Sequence, residues 1–451
     1  MRLRVAITFA VSFVAAAGVR ADTRTTVPED GSGAAANIAT SVTQAVTGGD
    51  EAAAAGAEGG EEEDPFEWGV LPYVAGSTDY GVLFGAVAVL SAHEDGAYPY
   101  LWRGELGLSA SVMSGPDGAE FAQHFDSVRW DIPNLAGGAL RLQPQILFQR
   151  TVNAGWYGLG NGSNADLPPG VSDPGRRYQY IYMGPEARFN MRLRLFDTLS
   201  LMTGVHGRYV MPEVYPGSRL EADRRLVAEG EPLVRGVEDH GLALLAVGLL
   251  WDTRDDETVP TLGFFHELSV RGAVGFRESA DFGYAGLTAH LRFYLPLANE
   301  YLVLGLRVLF DVLFGDPPFY EMGKGGAFFP TELPGGQDGI RGVPAGRYSG
   351  DVKLVSSIEF RSMFWSFHLF GTPMRLGAAA FFDWGRIWTV DREGFDWDGI
   401  GGGLKFGVGG GIHWQWGRSA LFRFELAWSP DASDASPNVP LGAYVAFAQA
   451  F

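Results

Sequence analysis

No cysteine occurs in the 451 residues of this chain. Its absence excludes a disulfide framework, a thiolate metal site, a thiol nucleophile and a cysteine-borne lipid anchor. A cysteine-free chain also suits export through an oxidising compartment. Long apolar runs are equally scarce. Val5 to Val19 and Gly241 to Trp251 both fall short of the roughly 20 residues a membrane-crossing helix needs, so no helical anchor is expected. Positive charge is low, with 34 Lys and Arg against 53 Asp and Glu and a net charge of -19. Nucleic acid would require a basic stripe instead. The histidines at 93, 124, 206, 240, 266, 290, 368 and 413 form no H-x-x-x-H pair, and G-x-S-x-G is missing. We therefore expect no enzyme, no cofactor and no metal.

What is present begins with a leader. MRLR is a basic start, an apolar run follows, and Val19-Arg20-Ala21 offers a small-residue cleavage site, so residues 1–21 read as a signal peptide. Residues 22–66 form an acidic segment of Ala, Gly, Ser and Thr; from Asp22 to Glu67 there are eleven acidic residues and a single basic one, Arg24. Such a stretch buries too little apolar surface to offset its ordering entropy and reads as a disordered periplasmic tail.

From residue 67 to 451 the chain is aromatic, glycine-rich and alternating. In Tyr284 to Leu295, Ala285, Leu287, Ala289, Leu291, Phe293 and Leu295 share one face, while Tyr284, Thr288, His290 and Arg292 share the other. Leu268, Val270 and Val274 oppose Glu267, Ser269 and Arg271, and Phe422, Phe424, Leu426 and Trp428 oppose Arg423 and Glu425. Period-two alternation marks strands. Their length decides what surrounds them, because tilted transmembrane strands need about 9–11 residues and soluble ones average five or six.

Sixteen such segments are read: 68–76, 80–91, 100–113, 120–131, 138–151, 177–192, 199–211, 240–252, 263–276, 283–295, 301–314, 353–365, 374–390, 400–414, 420–429 and 441–451. An even count allows closure, and the brief turns at Leu193 to Thr198 and Pro296 to Glu300 contrast with long loops such as Val152 to Arg176, Pro212 to Asp239 and Gly315 to Val352. We expect an all-β fold: a 16-stranded antiparallel transmembrane β-barrel, with short turns on one side and long loops on the other. Gly241 to Leu250 is apolar on both faces, so something inside the barrel must cover it; the glycine-rich loop 315–352 is the candidate.

That loop carries Arg341 between glycines in Gly339-Ile340-Arg341-Gly342, and a confined guanidinium needs an acidic partner. Glu359 shares a face with Lys353, Ser357 and Arg361, which turns it toward the lumen. Asp383 follows in Phe381 to Gly385, FFDWG. The turn Trp251 to Gly263, WDTRDDETVPTLG, clusters hard oxygens that could chelate a cation or make a charged turn with Arg254 paired locally. The glycine runs at 158–162 and 401–411 lack the strand-loop-helix setting of a phosphate loop, and glycine in barrel strands more often relieves crowding. Tryptophan and tyrosine read as interfacial girdles rather than ligand platforms.

Four stretches resemble the bacterial surface antigen family, the BamA and TamA type of outer-membrane barrel: residues 71–86 (LPYVAGSTDYGVLFGA), Trp251 to Gly263, Gly339 to Gly342, and Phe381 to Gly385. The C-terminal Phe451 is similar to the family's assembly signal. The resemblance implies that Arg341 and Gly342 fold into the lumen, with Arg341 pairing Glu359 and Asp383 beside Gly385. It also implies that Asp252, Arg254, Asp255, Pro260 and Gly263 form the family's periplasmic turn. Val343 stands where relatives place an aromatic. The short acidic segment leaves an expected form lacking POTRA domains.

The expected role is outer-membrane protein assembly or translocation, with membrane lipid and nascent outer-membrane or secreted proteins as partners and a monomeric barrel. A passive channel or structural barrel is the alternative.

Overall fold

The computed structural model describes residues 66–447 apart from 95–99, 117, 167–174, 229, 257–258, 278–281, 299–300, 329, 370–371, 390–402, 417–419 and 435–439. The leader, the acidic segment up to residue 65, and Phe451 lie outside the described residues.

Sixteen long strands make one sheet: β1 Phe66–Ser77, β2 Gly81–Ala92, β3 Trp102–Gly115, β4 Gly118–Leu135, β5 Leu140–Gly155, β6 Gln179–Arg194, β7 Leu199–Val210, β8 His240–Asp252, β9 Gly263–Phe276, β10 Gly283–Pro296, β11 Val303–Gly315, β12 Val352–Leu369, β13 Thr372–Trp388, β14 Lys405–Trp416, β15 Ala420–Trp428 and β16 Gly442–Phe447. Each pairs antiparallel with its sequence neighbours, and β16 returns to β1, closing the barrel. Among the described residues no helix is long and apolar enough to cross a membrane; strands make the crossing, because pairing in a closed sheet satisfies their backbone hydrogen bonds in lipid.

The alternation sets the two faces. On β8 and β9, Leu245, Val247, Leu268, Val270 and Val274 are exposed on the outer wall, whereas Glu267, Ser269 and Arg271 are buried within. Oily side chains therefore point out and polar ones in, the inverse of a soluble sandwich. Several inner patches depart from this, two of which follow. Tyr73, Ala75, Leu83, Val87, Val89, Phe125 and Leu147 form an apolar inner cluster on β1, β2, β4 and β5. Leu242, Leu244, Ala246 and Leu250 of β8 join Met202, Phe265 and Ala273 around Ala327 and Phe328 of the loop between β11 and β12. The inner half of the doubly apolar stretch is thus covered by that loop.

The observed strands correct the expected bounds in several places. Phe66 already belongs to β1, pairing with Ala92, two residues before the expected strand start at 68. Strand β4 spans 118–135 rather than 120–131, and β12 spans 352–369 rather than 353–365. The ladder continues past the point where apolar alternation fades, because backbone pairing does not need a buried side chain. Strand β14 begins at Lys405, not 400.

The loops sort by side. The turns after β2, β4, β6, β8 and β10 face one way; those after β1, β3, β5, β7, β9, β11 and β15 face the other. The long loop of residues 316–351, L6 hereafter, belongs to the second set.

Candidate functional site: a loop fastened to the inner wall

Among its described residues L6 contains one pair of two-residue strands, Lys324–Gly325 against Thr331–Glu332, and a 3-10 turn at Phe319–Glu321. Its side chains reach inward-facing groups of many strands. Glu321 accepts from Arg208 Nη1 of β7 at 2.6 Å and from the Tyr284 hydroxyl of β10 at 2.7 Å. The Gly326 amide donates to Asp311 of β11 at 3.1 Å, and Asp311 also holds Arg271 at 2.8 and 3.0 Å and Lys353 at 3.2 Å. Phe328 has no exposed surface.

The third attachment is Arg341, 1% exposed. Its Nε and Nη2 donate to the two carboxylate oxygens of Asp383 on β13 at 2.8 and 3.0 Å. Its Nη1 donates to Glu359 of β12 at 2.8 Å and to Glu425 of β15 at 3.3 Å. The Arg341 backbone amide adds a bond to Asp383 at 3.1 Å. A planar fork matched bidentately to one carboxylate fixes orientation as well as charge. Two more guanidiniums complete the set: Arg361 donates to Glu359 at 2.7 Å, and Arg423 to Glu425 at 3.0 Å. Three buried carboxylates thus face three guanidiniums, the balance a dry interior demands.

The aromatic absent at Val343 comes from elsewhere. The Arg341 guanidinium carbon lies 3.3 Å from the centre of the Phe381 ring, a cation–π contact supplied by the wall. Gly342 sits at φ +95°, a left-handed conformation that glycine adopts freely. A Cβ at Gly407 of β14 would lie 1.9 Å from the Arg341 carbonyl oxygen, so only glycine lets the loop approach there. Gly385, two residues beyond Asp383, lies beneath Ile340. Sequence reasoning missed Glu425, Phe381 and Glu321. The inward parity of Glu425 opposite Phe424 was a usable signal; Phe381 had none, since it sits in a run of apolar residues.

The turn 253–262 gathers its motif locally. Arg254 donates to both oxygens of Asp252 at 3.0 Å and lies 4.3 Å from the Phe265 ring centre. Asp255 accepts from the amides of Thr261 and Leu262 at 2.9 and 3.0 Å. Burial raises the Asp255 carboxyl, but these bonds outweigh it and hold it below the usual carboxylate value. Pro260 is buried and Gly263, at φ +105°, opens β9. Among the described residues the geometry is a charged turn with local pairing, without a cluster of oxygens that could hold a metal ion.

The closure between β1 and β16 is short. Strand β1 pairs with β2 along its whole length, from Phe66 with Ala92 to Ser77 with Gly81. Against β16 it pairs, among the described residues, at Gly76 with Val445 and Ser77 with Tyr444. One bond from the Thr78 amide to Ala443 extends this by a step. The segment Gly342 to Ala345 crosses this seam. The Gly342 amide donates to the Tyr444 hydroxyl of β16 at 2.9 Å, and the Ala345 amide donates to Asp79 of the β1–β2 turn at 3.2 Å.

Burial pushes the Asp79 carboxyl up from 3.8 to about 7; the Ala345 amide opposes this and Glu332 adds to it. A carboxyl raised by folding is favoured in its neutral form, so its contribution to stability is complete below 3.8 and is lost as pH rises toward 7. The urea midpoint of the barrel in detergent is expected to fall across that window and then level. Asp79→Asn should remove this component; an unchanged slope in the variant would contradict it.

Comparison with known proteins agrees with the architecture. BamA from Haemophilus ducreyi lacking POTRA domains 1-3 superposes with a TM-score of 0.54 at 12% identity, covering 86% of this chain and 71% of that one. CdiB from Escherichia coli gives 0.51 at 12% identity over 86% of this chain, which spans 64% of that protein's length. These likenesses show a shared fold. No curated protein matches by sequence. The Omp85 superfamily domain matches residues 171–438, more than half the chain and including Arg341 and all three of its carboxylate partners: the protein belongs to the Omp85 superfamily and is an outer-membrane β-barrel.

Proposed function

We propose that this barrel works in outer-membrane protein assembly or translocation, passing nascent outer-membrane or secreted chains by opening between β1 and β16. The observation that carries this reading is the seam: among the described residues, a closure of two registered residue pairs beside a full-length β1–β2 ladder. An unzipping step that breaks few ladder bonds is far easier there than at any other joint. L6 is the clasp in this reading, with Arg341 holding it to β12, β13 and β15 while Gly342 and Ala345 grip the two sides of the seam. Delivery by the leader and a monomeric state in the lipid are parts of the same proposal.

The chain's lack of cysteine makes the test clean. Thr78→Cys with Ala443→Cys, which meet across the seam where the Thr78 amide donates to the Ala443 carbonyl, should cross-link on oxidation. In a deletion strain the oxidised double variant should fail to restore outer-membrane protein levels, and reductant should return them. Full restoration by the cross-linked form would sink the proposal. A passive channel would instead give a large steady conductance in planar bilayers that cross-linking leaves unchanged.

A further inference from the structure

The outer wall carries a depression of about 540 Å³ where β7 to β11 meet. Ala243 of β8, Gly272 of β9 and Ala285 of β10 form its floor, and Leu245, Val274 and Phe314 stand around it. The register explains the hollow. Leu245 pairs with Gly272, which pairs with Ala285, which pairs with Phe314, so two adjacent small residues lie between two large ones along one row of the sheet. A Cβ built on Gly272 meets nothing within 4 Å, so the space is open rather than filled by a neighbour. Its volume lies within the roughly 300–1,000 Å³ of small-ligand sites, and its lining is apolar.

A cation stands at the rim. Tyr209 and Phe276 both pair with Gly241, two residues along β8 from Ala243, which puts them on the side of the hollow nearest the long loops. Arg277 follows Phe276, and its guanidinium carbon lies 4.8 Å from the Tyr209 ring centre while Nη1 donates to the Tyr209 hydroxyl. Arg277 adopts φ 90°, a conformation unfavourable for any residue with a side chain. The strained backbone and the tyrosine contact hold an exposed guanidinium directly above an apolar hollow.

We propose that this hollow is a lipid site: it takes one acyl chain of a phosphate-bearing lipid of the outer leaflet, with the phosphate on Arg277. The two chemistries are stacked in the order such a lipid presents them, chain below and anionic headgroup above, and guanidinium is the side chain best matched to phosphate. An annular lipid on a smooth wall would have neither the recess nor the fixed cation. The inference rests on the barrel's placement in the membrane and not on the opening of its seam.

The experiment uses the full chain in proteoliposomes with phosphatidylglycerol carrying a photoactivatable group in one acyl chain, and a diacylglycerol probe with the same chain but no phosphate as the second arm. Adducts mapped by mass spectrometry should concentrate about tenfold at Leu245, Val274 and Phe314 over other outward residues. Gly272→Leu with Ala285→Leu, which fills the hollow, should abolish that enrichment while the heat-modifiable gel shift shows the barrel intact. Arg277→Gly, which relieves the backbone, should keep the adducts but erase the preference for phosphatidylglycerol. Even labelling around the wall, enrichment that survives the filled hollow, or equal labelling by both probes in the parent protein would overturn the proposal, as would adducts between two copies of the chain at these residues.

Discussion

Arg341→Ala is expected to prevent formation of the compact, heat-modifiable barrel at neutral pH. The substitution leaves Asp383, Glu359 and Glu425 converging on a space with no exposure to solvent, with Arg361 and Arg423 unable to serve all three. Breaking a buried charge set by removing one member destabilises by about 3–5 kcal/mol, a large share of the roughly 5–15 kcal/mol of an ordinary fold. Arg341→Lys should recover part of this, since the charge returns but the two-pronged contact with Asp383 and the face-on contact with Phe381 do not. A double variant, Arg341→Met with Asp383→Asn, should be more stable than Arg341→Ala because it removes the cation together with its two-pronged partner and leaves Glu359 with Arg361 and Glu425 with Arg423. Urea midpoints in detergent rank the four proteins; equal stability of the parent and Arg341→Ala would show that the charge set contributes nothing.

Phe328→Ala should rank second. The ring is fully buried on the inner wall among Leu244, Ala246 and Ala273, and two strand glycines make room for it: a Cβ on Gly248 would lie 2.9 Å from the ring, and one on Gly204 would lie 3.3 Å away. Truncating a buried phenylalanine costs about 3–5 kcal/mol through lost transfer energy and the cavity left behind. Here the cavity lies in the lumen, so single-channel conductance should rise as stability falls. Gly248→Leu should reproduce the instability by collision instead of vacancy. If Phe328→Ala leaves both conductance and urea midpoint unchanged, the loop is not packed as described.

Much of this was legible because one rule, period-two alternation, fixes both the strands and the environment on either side of them. The charged face of β9 and the oily face of β10 needed no tertiary information, and the double apolarity of Gly241 to Leu250 announced a covering element before Phe328 could be identified as part of it. What stayed hidden is long-range. Glu425 approaches Arg341 across 84 residues of sequence, and Phe381 gives no local sign that its ring, among several, is the one beneath a guanidinium. A weak seam between the first and last strands is an expectation, but how far β1 and β16 pair was hidden for a different reason: it depends on stagger, which hydrophobic pattern alone does not specify. The outer hollow escaped likewise, since Gly272 and Ala285 become a recess only when the register aligns them.

The span of L6's attachments bears on the order in which the molecule is made. Ala345 bonds to Asp79, 266 residues earlier, and Arg341 to Glu425, 84 residues later. Such distant partners are slow to meet, because chain closure must precede any reward from contact. The loop's fastening is therefore completed only after the fifteenth strand, which carries Glu425, has arrived. Before that, Arg341 can already meet Glu359 and Asp383, only 18 and 42 residues on, so the loop is fastened to β12 and β13 first and to the closing strands last.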